Sequence, residues 1–286
     1  MPIVRLALAI LSISLAAPFA PAQQAAPSTF LARYQSRLAA TQTEQPHWAT
    51  PLITVNARLE EGFRADFLRQ TAPNGQSTWN YGNAKGLQIV PFRRLELRFS
   101  PPPFFTHSSP RVEDGFGDVA FRAKYRIYGS SEQHHNAIIT ALLGATVPTG
   151  KSGNGSCCAI LTPTLQLGKG FGKLALTTSG GGSLPISNTA TLGRSIVWNN
   201  AIQYHATTLL WPQLEFNSTF YRGGKNDGHQ QTFITPGLVV SRISLIHPRD
   251  SATSPLTLTF GAGEQIALTH FNTYNHSPIF TTRLRF

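Results

Sequence analysis

SPIFTTRLRF, residues Ser277 to Phe286, alternates apolar and polar side chains and stops on an aromatic residue. In an extended chain successive side chains point to opposite faces, so this pattern predicts a β-strand with one apolar face, and Arg283 and Arg285 on the other. The same period recurs upstream. Val119, Phe121, Ala123, Tyr125 and Ile127 alternate with Asp118, Arg122, Lys124 and Arg126. Leu87, Ile89, Leu95, Leu97 and Phe99 alternate with Gln88, Arg94, Glu96 and Arg98. A longer run from Leu52 to Phe67 sets Ile53, Val55, Ala57, Leu59, Phe63, Ala65 and Phe67 against Asn56, Arg58, Glu60, Arg64 and Asp66. One face of each run suits a hydrocarbon environment, and the other is nearly all charge.

The opposite end gives this a setting. Met1 to Ala22 carries a single charge at Arg5, an apolar run from Leu6 to Phe19, and Ala20-Pro21-Ala22 as a small-x-small cleavage site, the pattern of a secretory signal peptide. Its apolar run of about 14 residues is too short to cross a bilayer as a helix, and cleavage is expected to leave Gln23 first. No later segment is long and apolar enough for a membrane helix. Membrane crossing then requires a closed barrel, because only helices and barrels satisfy every backbone N–H and C=O in lipid. The terminal strand resembles the C-terminal strand of bacterial outer-membrane barrels, which implies that Phe286 is the signal read by the barrel assembly machinery.

Composition agrees. Among 286 residues, 24 Gly and 20 Pro with only 13% charged side chains favour short strands and turns over helical bundles. The net charge of +11 would point to nucleic acid in a cytoplasmic protein. Export makes nucleic acid an unexpected partner and favours anionic lipid or an anionic permeant. Residues 23–50 read as a periplasmic lead-in and residues 51–286 as an all-β, antiparallel, up-and-down transmembrane barrel in the bacterial outer membrane. Eleven runs are visible, and single-chain bacterial barrels have an even number of strands, so about 12 are expected, the extra one within Leu52 to Phe67 or before it. Short turns near Gly129 to His134, Gly170 to Gly172 and Leu210 to Trp211 belong on the periplasmic side, and longer loops outside. The long connector Ile243 to Pro255 fits that scheme least well.

Taking the polar parity of each run, Arg58, Arg64, Arg94, Arg98, Arg122, Lys124, Arg126, Arg283 and Arg285 are expected to line the lumen against Glu60, Asp66, Glu96, Asp118 and Glu215. The plainer account is that these are ion-paired fillers of a closed barrel. His205 shares its side with Asn199 and Gln203, and a hairpin to Glu215 would make a His–carboxylate pair of the kind that serves a general base. No Ser is placed as a nucleophile beside it, so lumen hydrogen bonding is the expectation and no catalytic residue is assigned. Ala145 to Ser152, ATVPTGKS, fits a relaxed phosphate-loop pattern, but the GNGSCCAILTP that follows is a poor helix start, and nucleotide binding is not expected. Cys157 and Cys158 lack metal-ligand spacing. No metal or other cofactor is expected.

Three segments together, GFGDVAFRAKYRIY (Gly115 to Tyr128), GATVPTGK (Gly144 to Lys151) and VWNNAIQYH (Val197 to His205), resemble the outer-membrane barrels grouped as the "MetA-pathway of phenol degradation" family of transporters. The likeness covers Gly115 to Phe286. It implies an outer-membrane location and the passage of small molecules, hydrophobic or aromatic ones among them, and the chain is expected not to be an enzyme. The alternatives are a lipid-modifying barrel enzyme and a closed barrel without transport. Oligomeric state is left open.

Overall fold

The computed structural model describes residues 29–151, 153–246 and 256–286. The expected signal peptide and most of the connector between Ile243 and Pro255 lie outside these residues. The chain folds as a closed, 12-stranded antiparallel barrel. Strand β1 (Gly62–Thr71) closes it by pairing with β15 (His276–Arg285), in a register that places Phe63 opposite Leu284 and Phe67 opposite Phe280. The 15 strand segments make 12 wall strands because three walls are interrupted. Ser77–Gly82 (β2) and Leu87–Phe92 (β3) form one wall, broken where Asn83 and Ala84 take positive φ. Leu95–Ser100 (β4) and Phe104–His107 (β5) form the next, broken by Pro101, Pro102 and Pro103. None of the three prolines has an N–H to give a ladder. Gly115–Phe116 (β6) and Val119–Ser130 (β7) form the fourth wall.

The remaining walls follow in chain order: Ala137–Val147 (β8), Ile160–Phe171 (β9), Leu174–Pro185 (β10), Arg194–Tyr204 (β11), Leu210–Arg222 (β12), Gln230–Ile246 (β13) and Leu256–Ala267 (β14). Each pairs with its sequence neighbour, so connections are hairpins and the strands alternate up and down. The outward parity is apolar as expected. Phe99 and Phe121 pack ring to ring on the outside at 5.6 Å, and Leu165, Trp198 and Phe280 are likewise exposed. No helix among the described residues is long and apolar enough to cross a membrane. The apolar band is carried by strands.

Two expectations about the wall are corrected. The run Leu87 to Phe99 is not one strand: Phe92 pairs with Leu95 across a tight turn, so it supplies the ends of two walls, and the missing twelfth strand lies here. The run Leu52 to Phe67 contains only one strand, which begins at Gly62. Its first part never joins the wall. After helix α1 (Phe30–Thr43), residues 44–61 fold back on themselves inside the barrel, and the described part of the expected lead-in merges into this plug.

Candidate functional site

Irregular backbone at membrane depth is tolerated only where protein satisfies its polar groups, and here wall side chains do so. The carboxylate of Glu215 on β12 accepts three consecutive backbone N–H groups, from Leu52 at 2.7 Å, Ile53 at 3.1 Å and Thr54 at 2.6 Å. Gln213 donates to the same carboxylate at 2.8 Å. Arg283 on β15 donates to the carbonyls of Thr50 and Pro51, and Arg64 on β1 to that of Leu52. Gln166 on β9 donates to Val55, and Lys124 on β7 to Arg58 at 2.8 Å. The N–H of Glu60 reaches Glu96 on β4 at 2.8 Å. Within the plug, Gln45 closes the loop by accepting from Leu59 N–H at 2.9 Å and donating to Leu59 C=O at 2.8 Å.

Packing reinforces these bonds. Trp48, Ala49, Leu52 and Ala57 of the plug form one buried cluster with Leu68, Ile138, Ala175, Trp211, Val239 and Ile279 from six walls. Leu52 is seated where β13 and β14 carry inward glycines. A Cβ at Gly237, Gly261 or Gly263 would stand 2.4, 2.7 or 2.6 Å from a Leu52 methyl, so only glycine leaves room. Truncating a buried Leu to Ala costs about 2–5 kcal/mol, which makes this seat a large share of what holds the segment.

On the other side the contacts are ionic. Arg64 pairs with Asp66 at 2.7 Å, Lys124 with Glu96 at 3.0 Å, and Arg58 with Glu60 inside the plug. Arg126 donates to the Thr41 carbonyl at the end of α1 and to Glu44, each at 2.7 Å, placing a cation where the helix dipole is negative. Near the barrel end, Tyr34 of α1 hydrogen-bonds Glu61, and burial together with that carboxylate pushes its phenol up to about 12. His47, where the plug begins, is held down to about 4 by burial and by the charges of Arg58, Arg242 and Arg285.

The expected lumen residues are thus only partly brought together. Arg64, Arg98, Arg122, Lys124, Glu215 and Arg283 face the interior from the wall. Arg58 is inside but on the plug. Arg94 sits exposed in the turn between β3 and β4, because the hairpin reverses there. Arg285 lies beside Gln42 at the mouth where β15 ends. His205 is not on a strand: β11 stops at Tyr204, the turn closes through Thr207, and the imidazole stacks on Trp211 at 4.2 Å. Since the plug amides occupy Glu215, the His205–Glu215 pair does not form. Asp118 caps the outer loop rather than facing charged neighbours, accepting from Thr149, Gly150 and Ser156 N–H at 3.0, 2.8 and 2.7 Å. Two amides of the phosphate-loop-like segment, those of Thr149 and Gly150, are therefore already used. Cys157 and Cys158 are free thiols, and among the described residues no group of three or more His, Cys, Asp or Glu is placed to hold a metal.

Comparison with known proteins adds the setting of the fold. No family model matches the chain, and no curated protein matches its sequence. Solved structures do. An outer membrane channel from Pseudomonas putida F1 is similar with a TM-score of 0.56 and 15% identity, covering 79% of this chain and 96% of that one. The NanC porin gives a TM-score of 0.48 and 9% identity, covering 79% of this chain and 98% of that one. These neighbours are outer-membrane channels. The likeness to the first extends through nearly all of that channel.

Two cavities flank the plug. One, of about 30 Å³, lies between the plug and the charged wall, lined by Asn56, Arg98, Arg122 and Lys124 among others. The second, of about 170 Å³, is bordered by the plug residue Val55 and by Arg122, Thr164, Ser179, Gly181 and Val197. Arg122 borders both.

Proposed function

We propose that this protein is an outer-membrane channel for small molecules, gated by its own N-terminal segment. The observation that carries the reading is the plug: a lumen lined by polar side chains, inside an apolar outer wall, is occupied by chain that uses wall side chains as its hydrogen-bond partners. A barrel meant only as a static shell is commonly filled by wall side chains alone, whereas a separate segment, tethered at one end to β1, is a movable filler. Small hydrophobic or aromatic compounds are the permeant class we favour, supported by the family resemblance of residues 115–286 and by the neutral lining at Val55, Leu142 and Val197. The chain is read as a channel rather than a lipid-modifying enzyme, since His205 is stacked in a turn and Glu215 is committed to the plug. The assembly machinery is the expected partner of the exposed Phe286. Proteoliposomes containing the folded protein are expected to take up small aromatic solutes faster than empty liposomes, and faster still once the plug is released. Equal uptake in all three would overturn the channel.

A further inference from the structure

Arg98 on β4 and Arg122 on β7 stand directly opposite each other in register on the inward face. Among the described residues neither guanidinium has a hydrogen-bond acceptor or an ion-pair partner, and the Nε of each is buried without one. Arg98 is only 8% exposed. The carboxylates around them are engaged elsewhere: Asp66 with Arg64, with Lys85 at 4.0 Å, Glu96 with Lys124, and Glu60 with Arg58. Glu61, which also lines the small cavity, accepts from Tyr34 through Oε1, and its Oε2 makes no hydrogen bond to either arginine. Two like charges facing each other across a strand pair repel, and a buried charge without a partner is costly. The small cavity they share has room for one compact charged group. The larger cavity, which Arg122 also borders, is lined mainly by neutral residues such as Ser179, Gly181 and Val197.

We propose that Arg98 and Arg122 together bind the carboxylate of a small organic acid whose uncharged body occupies the adjoining neutral cavity. Guanidinium forks match a carboxylate in two parallel hydrogen bonds, and two forks around one carboxylate satisfy the donors that the wall leaves open. The carboxylate also supplies the negative charge that separates the two cations. This deepens the channel reading by naming the permeant class, and binding can be measured without flow.

The test uses the intact protein in detergent with benzoate as the probe, followed by calorimetry and by the shift in thermal unfolding. Benzoate is expected to bind at one saturable site, and benzyl alcohol, of similar shape without charge, is not. Arg98→Gln and Arg122→Gln should each weaken benzoate by about tenfold or more, the scale of a charge-assisted hydrogen bond. Arg69→Gln, on the exposed surface, should not. Unchanged benzoate affinity in both cavity variants, or equal binding of benzyl alcohol, overturns the proposal. Equal affinity for benzoate, acetate and chloride overturns the organic-acid assignment and leaves a free-ion site. If the variants do not fold, crystals of the unaltered protein soaked in 4-bromobenzoate decide the matter: the bromine signal should lie beside Ser179 and Gly181, and a signal elsewhere or none overturns it. Binding without solute uptake would sink the channel and leave the site standing.

Discussion

The two sides of the lumen hold the same plug by different chemistry. From β15 through β1 and β4 to β7 the inward face is rich in charge, with Arg283, Arg64, Asp66, Glu96, Arg98, Arg122 and Lys124 set among Leu68, Ser100, Ile279 and Thr281. From β8 to β14 they are Thr140, Gln166, Thr177, Ser179, Gln203, Thr235, Thr259 and Gln265, with Glu215 the one buried carboxylate in that series. On the neutral side that single carboxylate gathers three amides and the glycines admit Leu52. On the charged side the attraction is spread over several pairs and leaves two arginines over. The difference teaches that the neutral wall positions the plug, while the charged wall carries the surplus charge available to a ligand.

The largest effect should come from Glu215→Leu. It strands three buried N–H groups, each worth about 1–3 kcal/mol when left unmet. The plug is expected to leave the lumen, so trypsin should cut after Arg58, which is buried in the native barrel. Continued protection would show that the neutral wall is not what holds it. Next is Glu96→Ala on the charged wall, which leaves Lys124 buried without its partner and removes the acceptor for Glu60 N–H. Breaking such a pair costs about 3–5 kcal/mol, to be read as a lowered midpoint in denaturant. A neutral result would reduce the charged wall to passive filling and erase the contrast.

The smallest effect is on pH. His47 has its folded pKa lowered to about 4, mainly by burial, with Arg58, Arg242 and Arg285 adding repulsion and Glu132 opposing it. A base with a depressed folded pKa contributes full stability above its unfolded value of about 6.5 and loses it as pH falls toward 4. Protection of the plug from trypsin at matched enzyme activity should therefore weaken over that window, and His47→Gln should flatten the dependence. An identical profile in the variant would remove His47 from the account.

The same contrast governs what was legible in the sequence. Val119 to Ile127 announces its strand because Phe and Tyr alternate with Arg and Lys, and on the charged walls Arg64, Arg98, Arg122, Lys124 and Arg283 stand on the inward parity. The break at Asn83 and Ala84 and the proline run at 101–103 hid a wall that no continuous alternation marks. The plug escapes a reading by periodicity because Ile53, Val55, Ala57 and Leu59 keep a period of two without being a strand. Nearly every residue from Pro51 to Glu61 is buried, on both parities, so the segment has no lipid face. One signal was available: inward glycines at 237, 261 and 263 on neighbouring strands mark a place where something approaches closely. What approached was not legible, since the partner lies some two hundred residues away in the chain.

The central claim is that residues 44–61 close a lumen that otherwise conducts. Conductance in a planar bilayer tests it most directly, comparing the intact barrel with a chain that starts at Glu61 and keeps every wall strand. Both must first be shown folded by their resistance to unfolding in detergent. The account predicts low or intermittent current from the intact protein and steady, clearly larger current from the shortened one. Equal currents from two folded barrels would contradict it.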